Sequence, residues 1–117
     1  MRKILVVEDD QFLANAYRIK FEKAKIEVKI AKDGEEAMAI VKLFMPDVIL
    51  LDLVMPRMDG FTVLEKLKAD EQTKHIKVIV TSNLGQVEDK ERAHALGVDG
   101  YIVKSDISIG DIVKMVE

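Results

Sequence analysis

The sequence predicts an α/β fold: a five-stranded, doubly wound parallel sheet with helices on both faces. Three observations carry the expectation. Short, unbroken apolar runs alternate with amphipathic stretches from one end of the chain to the other. The apolar runs are long enough for strands buried on both faces and too short for helices. Capping residues, glycine or proline stand at most of the changeovers. Five strand–helix units in succession require parallel pairing and right-handed crossovers.

Taken in order, Ile4–Val7 is the first strand. Asp10 or its neighbour caps a helix to about Lys25, with Leu13, Tyr17, Phe21 and Ala24 on one face. Val28–Ala31, starting from about Ile26, is the second strand. Asp33-Gly-Glu-Glu36 has capping-box spacing and opens a helix through Ala37, Ile40, Val41 and Phe44, which Pro46 cannot continue. Val48–Leu51 is the third strand, closed by the single carboxylate Asp52. Met55-Pro56 then imposes an extended or turn geometry. Asp59-Gly60 opens a helix on Phe61, Leu64 and Leu67 that ends near Asp70. Ile76–Val80 is the fourth strand, and a helix from about Leu84 to Leu96 is closed by Gly97. Tyr101–Val103 is the fifth. Ser108-Ile-Gly-Asp111 has capping-box spacing for a last helix through Ile112, Met115 and Val116. Met38, Met45 and Met115 read as core filler.

The bulk numbers bound the function. The 117 residues read as one domain, 1–117, large enough for a real core. A net charge of −3 with no basic run argues against nucleic-acid binding by this chain alone. The absence of cysteine excludes a disulfide framework and a thiolate metal site. No signal peptide is legible, because Met1-Arg2-Lys3 is followed by only four apolar residues before Glu8-Asp9-Asp10. No apolar run approaches transmembrane length. A cytoplasmic protein is the expectation.

For five strands the common doubly wound order is 2-1-3-4-5, the flavodoxin-like order, with strands one and three adjacent at the switch point. Open α/β sheets place ligands there, beyond the carboxyl ends of the strands. Glu8-Asp9 at the tip of strand one then stand beside Asp52 at the tip of strand three. Three carboxylates in one crevice repel one another unless a cation joins them. Oxygen-only ligands with no His or Cys nearby point to a hard ion, Mg2+ or Mn2+. Lys104 follows the fifth strand, and Thr81-Ser82 bring hydroxyls to the end of the fourth. An acid cluster, a divalent ion, a lysine and a hydroxyl at one rim form a site for a phosphoryl group. A carboxylate there can act as nucleophile and become an acyl phosphate. The plainer readings are that Asp52 is a turn residue and that the first acids only cap a helix.

Glu8-Asp9, Asp52 with Met55-Pro56 and Asp59-Gly60, Thr81-Ser82 and Tyr101-Ile-Val-Lys104 together resemble the receiver domain of bacterial two-component response regulators. The resemblance covers essentially the whole chain, every motif in order and at a strand end. It implies that Asp52 accepts a phosphoryl group from a phosphohistidine on a sensor histidine kinase or phosphotransfer protein. It implies Mg2+ (or Mn2+) held by Asp9, Asp52 and the Val54 backbone carbonyl, with Glu8 acting mainly through water. Lys104 would pair with the phosphoryl oxygens and Thr81 would donate its hydroxyl to one of them. Tyr101 is either a packed strand residue or, as the resemblance implies, an aromatic that turns inward when Thr81 moves. That motion would alter a partner surface made by helix four, strand five and helix five.

Two departures stand out. Ser105 follows the lysine where the family usually has proline, which leaves the Lys104-Ser105 geometry open. Val54 is apolar where many relatives carry a polar side chain that, with the residue at Asn83, influences the attacking water. Slow self-dephosphorylation is the expectation. A Mg-dependent phosphohydrolase using Asp52 as a turnover nucleophile is the main rival, but Val54 offers no second acid and no insertion forms a cap. A nucleotide-binding domain would need a glycine-rich loop where the three acids stand. The chain stops at Glu117 within the last helix, so a receiver cut from a longer transcription factor stays open beside a free-standing one.

Overall fold

The computed structural model describes residues 2–53, 58–82 and 87–116. The predicted alternation is realised as β1 (Lys3–Val7), α1 (Gln11–Lys23), β2 (Glu27–Ala31), α2 (Gly34–Phe44), β3 (Val48–Asp52), α3 (Gly60–Ala69), β4 (Lys77–Ser82), α4 (Val87–Ala95), β5 (Gly100–Val103) and α5 (Ile109–Val116). The strands form one sheet in the order β2-β1-β3-β4-β5, all neighbours parallel.

The pleat divides the apolar residues between two cores. Leu5, Val7, Ile49, Leu51, Val78 and Val80 point to one side, under Ala37 and Val41 of α2 and Val63, Leu64 and Leu67 of α3. Ile4, Val6, Val48, Leu50, Ile79 and Ile102 point to the other, under Tyr17 and Phe21 of α1 and Ile112, Val113 and Val116 of α5. Continuous apolar runs are therefore required by a sheet covered on both faces.

Helix starts follow the capping chemistry. Asp10 accepts hydrogen bonds from the Phe12 and Leu13 amides at 2.9 and 3.1 Å. Asp33 accepts from the Glu36 amide at 2.8 Å, Asp59 from the Thr62 amide at 2.9 Å, and Ser108 from the Asp111 amide at 3.2 Å. Each satisfies a backbone donor that the first helical turn leaves without a partner. Glu36 reaches back to the Lys32 amide rather than that of Asp33, so the box closes one residue early.

Some expectations shift. β4 continues through Ser82, two residues past the predicted end, because β3 and β5 both pair with its last residues. Met38 packs against the core. Met45 and Met115, expected there too, are 39% and 47% exposed. Met45 caps α2 in a left-handed conformation (φ 48°), which turns it away from the interior. The start of α4 near Leu84 lies outside the described residues. No helix among the described residues is long and apolar enough to cross a membrane.

Candidate functional site

The same pleat that builds the second core also aims the rim residues. Continuing the alternation past Ile4 and Val6 puts Glu8 on the α1/α5 side of the sheet. Asp52 follows Val48 and Leu50 to that side, Thr81 follows Ile79, and Lys104 follows Ile102. The ladders extend past the strand ends and fix these positions: the Glu8 amide donates to the Ala31 carbonyl at 2.9 Å, and the Lys104 amide to the Ser82 carbonyl at 2.7 Å. Asp52 and Thr81 occupy the same rung of the β3–β4 ladder. Four polar side chains from four strands thus converge above a floor that includes Tyr17.

Lys104 Nζ donates to Glu8 Oε1 at 2.9 Å, to Glu8 Oε2 at 3.1 Å and to Asp52 Oδ2 at 3.1 Å. Glu8, Asp52 and Thr81 are buried, and Lys104 nearly so, with 13% of its side chain exposed. Asp9 is exposed at the lip, yet one carboxylate oxygen from each of Glu8, Asp9 and Asp52 lies within 4.8 Å of the others. The all-carboxylate donor set suits a hard divalent ion such as Mg2+, which binds through oxygen and keeps several waters. The open lip at Asp9 leaves room for them. Val54, whose carbonyl was expected in this set, lies outside the described residues, as does Asn83.

Burial pushes the Glu8 carboxyl up to about 8, and its hydrogen bond with Asp52 pushes the same way, while Lys104 pulls it back. Burial pulls the Lys104 ammonium down, but its hydrogen bond to Glu8 and the charges of Asp52 and Glu8 outweigh that and hold it above its usual value. The site is therefore a crevice of excess negative charge, partly balanced by one lysine.

Thr81 and Ser82 do not share an orientation. Ser82 points to the α2/α3 side, the side on which Tyr101 packs. Tyr101 is half-buried against that core, with the Lys90 ammonium 5.8 Å from its ring centroid. The pleat thus places Tyr101 and Thr81 on opposite faces of the sheet. No cis peptide bond occurs among the described residues, Lys104-Ser105 included. Phe12, one residue into α1 and beside the acids, is 91% exposed, a feature the sequence reading passed over. The signal was present, since Phe12 falls outside the apolar face set by Leu13, Tyr17 and Phe21.

Comparison with known proteins gives a consistent picture. The response regulator receiver domain family matches residues 4–117. The DNA-binding dual master transcriptional regulator RpaA of a Synechocystis strain is 38% identical over 104 residues, covering 89% of this chain but 43% of that protein. The chain thus spans less than half the length of that relative. The Mn(2+)-bound form of response regulator Rcp1 superposes with a TM-score of 0.84 at 30% identity, covering 99% of this chain and 89% of that one. The phosphorylated cyanobacterial phytochrome response regulator RcpA gives 0.85 at 32%, covering 98% and 88%.

Proposed function

The chain belongs to the response regulator receiver domain family of two-component systems, and from that premise we propose that it is a switch phosphorylated on Asp52. The observation that carries this reading is Lys104 Nζ within 3.1 Å of both Glu8 and Asp52, beside the Asp9 carboxylate. The phosphorylated and Mn(2+)-bound relatives support the chemistry by likeness.

The Asp52 carboxylate attacks phosphorus as its bond to a phosphohistidine nitrogen breaks, and the imidazole leaves with a proton. Mg2+ (or Mn2+) would be held by Asp9, Asp52 and the Val54 carbonyl, with Glu8 acting mainly through water, and would supply the positive charge that lets three acids and a phosphoryl group share one crevice. Lys104 then exchanges its carboxylate partners for a phosphoryl oxygen, a charge-assisted bond of greater strength than a neutral one. Thr81, on the same rung as Asp52, donates its hydroxyl to a second oxygen. As Thr81 is drawn toward the site Tyr101 turns inward, which changes the face of α4, β5 and α5. Shifting such an equilibrium from one part in a hundred to ninety-nine needs about 5.5 kcal/mol of differential stabilisation.

The donor is a sensor histidine kinase or phosphotransfer protein in the cytoplasm, and the output is a protein partner on that face. Receiver domains are in general not turnover enzymes, and the phosphohydrolase alternative gains no support from the relatives. The test is incubation with Mg2+ and acetyl phosphate or beryllofluoride. Modification at Asp52 with a spectral change at Tyr101, both lost in Asp52→Ala, is expected. An unmodified Asp52 at millimolar Mg2+ would overturn the reading.

A further inference from the structure

Two glycines that carry no chemistry open the helices α2 and α3. A β-carbon at Gly60, the first residue of α3, would lie 2.5 Å from the Asp52 carbonyl oxygen and 2.5 Å from Leu53 Cα. The Gly60 amide also donates to the Leu53 carbonyl at 3.0 Å. The start of α3 is therefore seated directly on the backbone of Asp52, with no slack. Gly34, the first residue of α2, makes an equally close approach further along the same connection. A β-carbon there would overlap the Met58 carbonyl oxygen and lie 2.6 Å from Met58 Cβ and 2.8 Å from Val63 Cγ2. The first two are backbone or backbone-adjacent atoms, which cannot swing aside as the end of a long side chain can.

Gly34 is held in place from its own side. Asp33, buried, caps α2 through the Glu36 amide, so the helix start cannot back away without losing that bond. Met58, next to the Asp59 cap of α3, thus lies directly against the start of α2. Displacing Met58 displaces the α3 start, and the α3 start rests on Asp52.

We propose that Gly34 is a positioning residue for the phosphoryl site: through Met58 and Gly60 it sets where the backbone of Asp52 and Leu53 stands. The inference rests on the reading of Asp52 given above. The atoms nearest a β-carbon at Gly34 belong to Met58 and Val63 and none to the site residues, so its influence runs through Met58 and Gly60.

The test compares wild type, Gly34→Ala and Val41→Ala, the last a buried position two turns further along α2 that serves as a stability control. Mg2+ affinity is followed by amide NMR, and the rate of modification by acetyl phosphate is measured alongside. Gly34→Ala is expected to weaken Mg2+ binding by about 10- to 100-fold, as loss of an outer positioning contact does, and to slow modification. Val41→Ala is expected to lower the melting temperature and leave the Mg2+ Kd in place. A wild-type Kd in Gly34→Ala, or an equal weakening in Val41→Ala, overturns the proposal. If wild type itself neither binds Mg2+ nor is modified, the phosphorylation reading fails and the amide shifts decide the positioning role. Shifts at Asp52, Leu53, Met58 and Gly60 support it, and shifts confined to α2 overturn it. Should Gly34→Ala not fold, Met58→Gly keeps Gly34 and removes the Cβ it faces. Weaker Mg2+ binding there supports the proposal, and an unchanged Kd overturns it.

Discussion

Glu8 and Lys104 meet at 2.9 Å although 96 positions separate them in the chain. β1 and β5 are not neighbours, since β3 and β4 lie between them. At about 4.8 Å per strand, the gap between the two strands is roughly 14 Å. The reach of a lysine and a glutamate, both aimed to the same face, closes it. Lys104 is thereby a bridge across the crevice as well as a counter-charge.

Removing that bridge has opposite effects on stability and on metal binding. In Lys104→Met two buried carboxyl groups lose their cation, and we expect the metal-free protein to lose about 1–3 kcal/mol. The site becomes more negative by one charge, so Mg2+ binds at least as tightly and restores much of the loss. Urea unfolding with and without Mg2+ checks both halves. A variant as stable as wild type without metal, or one that binds Mg2+ more weakly, contradicts this account.

Tyr17 gives the site an internal pH reporter. Burial pushes its hydroxyl up to about 12, and the charges of Glu8 and Asp52 push the same way. The unfolded chain releases that proton near 10. Between those values the unfolded state has lost the proton and the native state keeps it, so stability falls as pH rises through the window. Below pH 10 the contribution is fully present. Tyr17→Phe should flatten the fall between pH 10 and 12, and tyrosinate absorbance should rise in two steps, Tyr17 last. A Tyr17 that titrates with the unfolded chain would refute the burial argument.

Phe12 separates protein donors from small ones. An aromatic ring left 91% exposed beside an acid rim costs solubility and gains nothing for the core. Contact with the proposed phosphodonor protein would give it a role, because donor and acceptor must bring phosphorus within bonding range of Asp52. Phe12→Ala should slow transfer from a phosphorylated histidine kinase by about tenfold and leave modification by acetyl phosphate unchanged. Equal effects on both donors would remove Phe12 from the interface.

Most of the fold was legible because its signals are local. Apolar runs, caps such as Asp33 and Asp59, and stops such as Pro46 each act within a few residues. The strand order followed from connection rules, and with it the meeting of Glu8, Asp9 and Asp52. What escaped depends on neighbours distant in sequence. β4 extends to Ser82 because Asp52 and Val103 pair with its end. Thr81 and Ser82 look alike in sequence, yet the pleat sends them to opposite faces. Met115 is as apolar as Ile112, but only the packing of α5 against α1 decides which one is covered. The close approach at Gly34 involves Met58 and is invisible until both helix starts are placed.

If Asp52 is phosphorylated as proposed, we expect Val54 to lengthen the lifetime of the signal. Hydrolysis of an acyl phosphate on Asp52 needs a water held in line with the bond that breaks. Orienting that water takes a side chain that donates or accepts a hydrogen bond. Val54, two residues past Asp52, carries only methyl groups, which neither donate nor accept a hydrogen bond to water. Val54→Asn supplies both a donor and an acceptor, and we expect the phosphorylated protein to decay faster by on the order of ten-fold or more. Release of inorganic phosphate from protein pre-loaded with acetyl phosphate, after the donor is removed, measures it. An unchanged half-life would mean that water reaches phosphorus without help from this position, and that slow decay must come from elsewhere in the crevice.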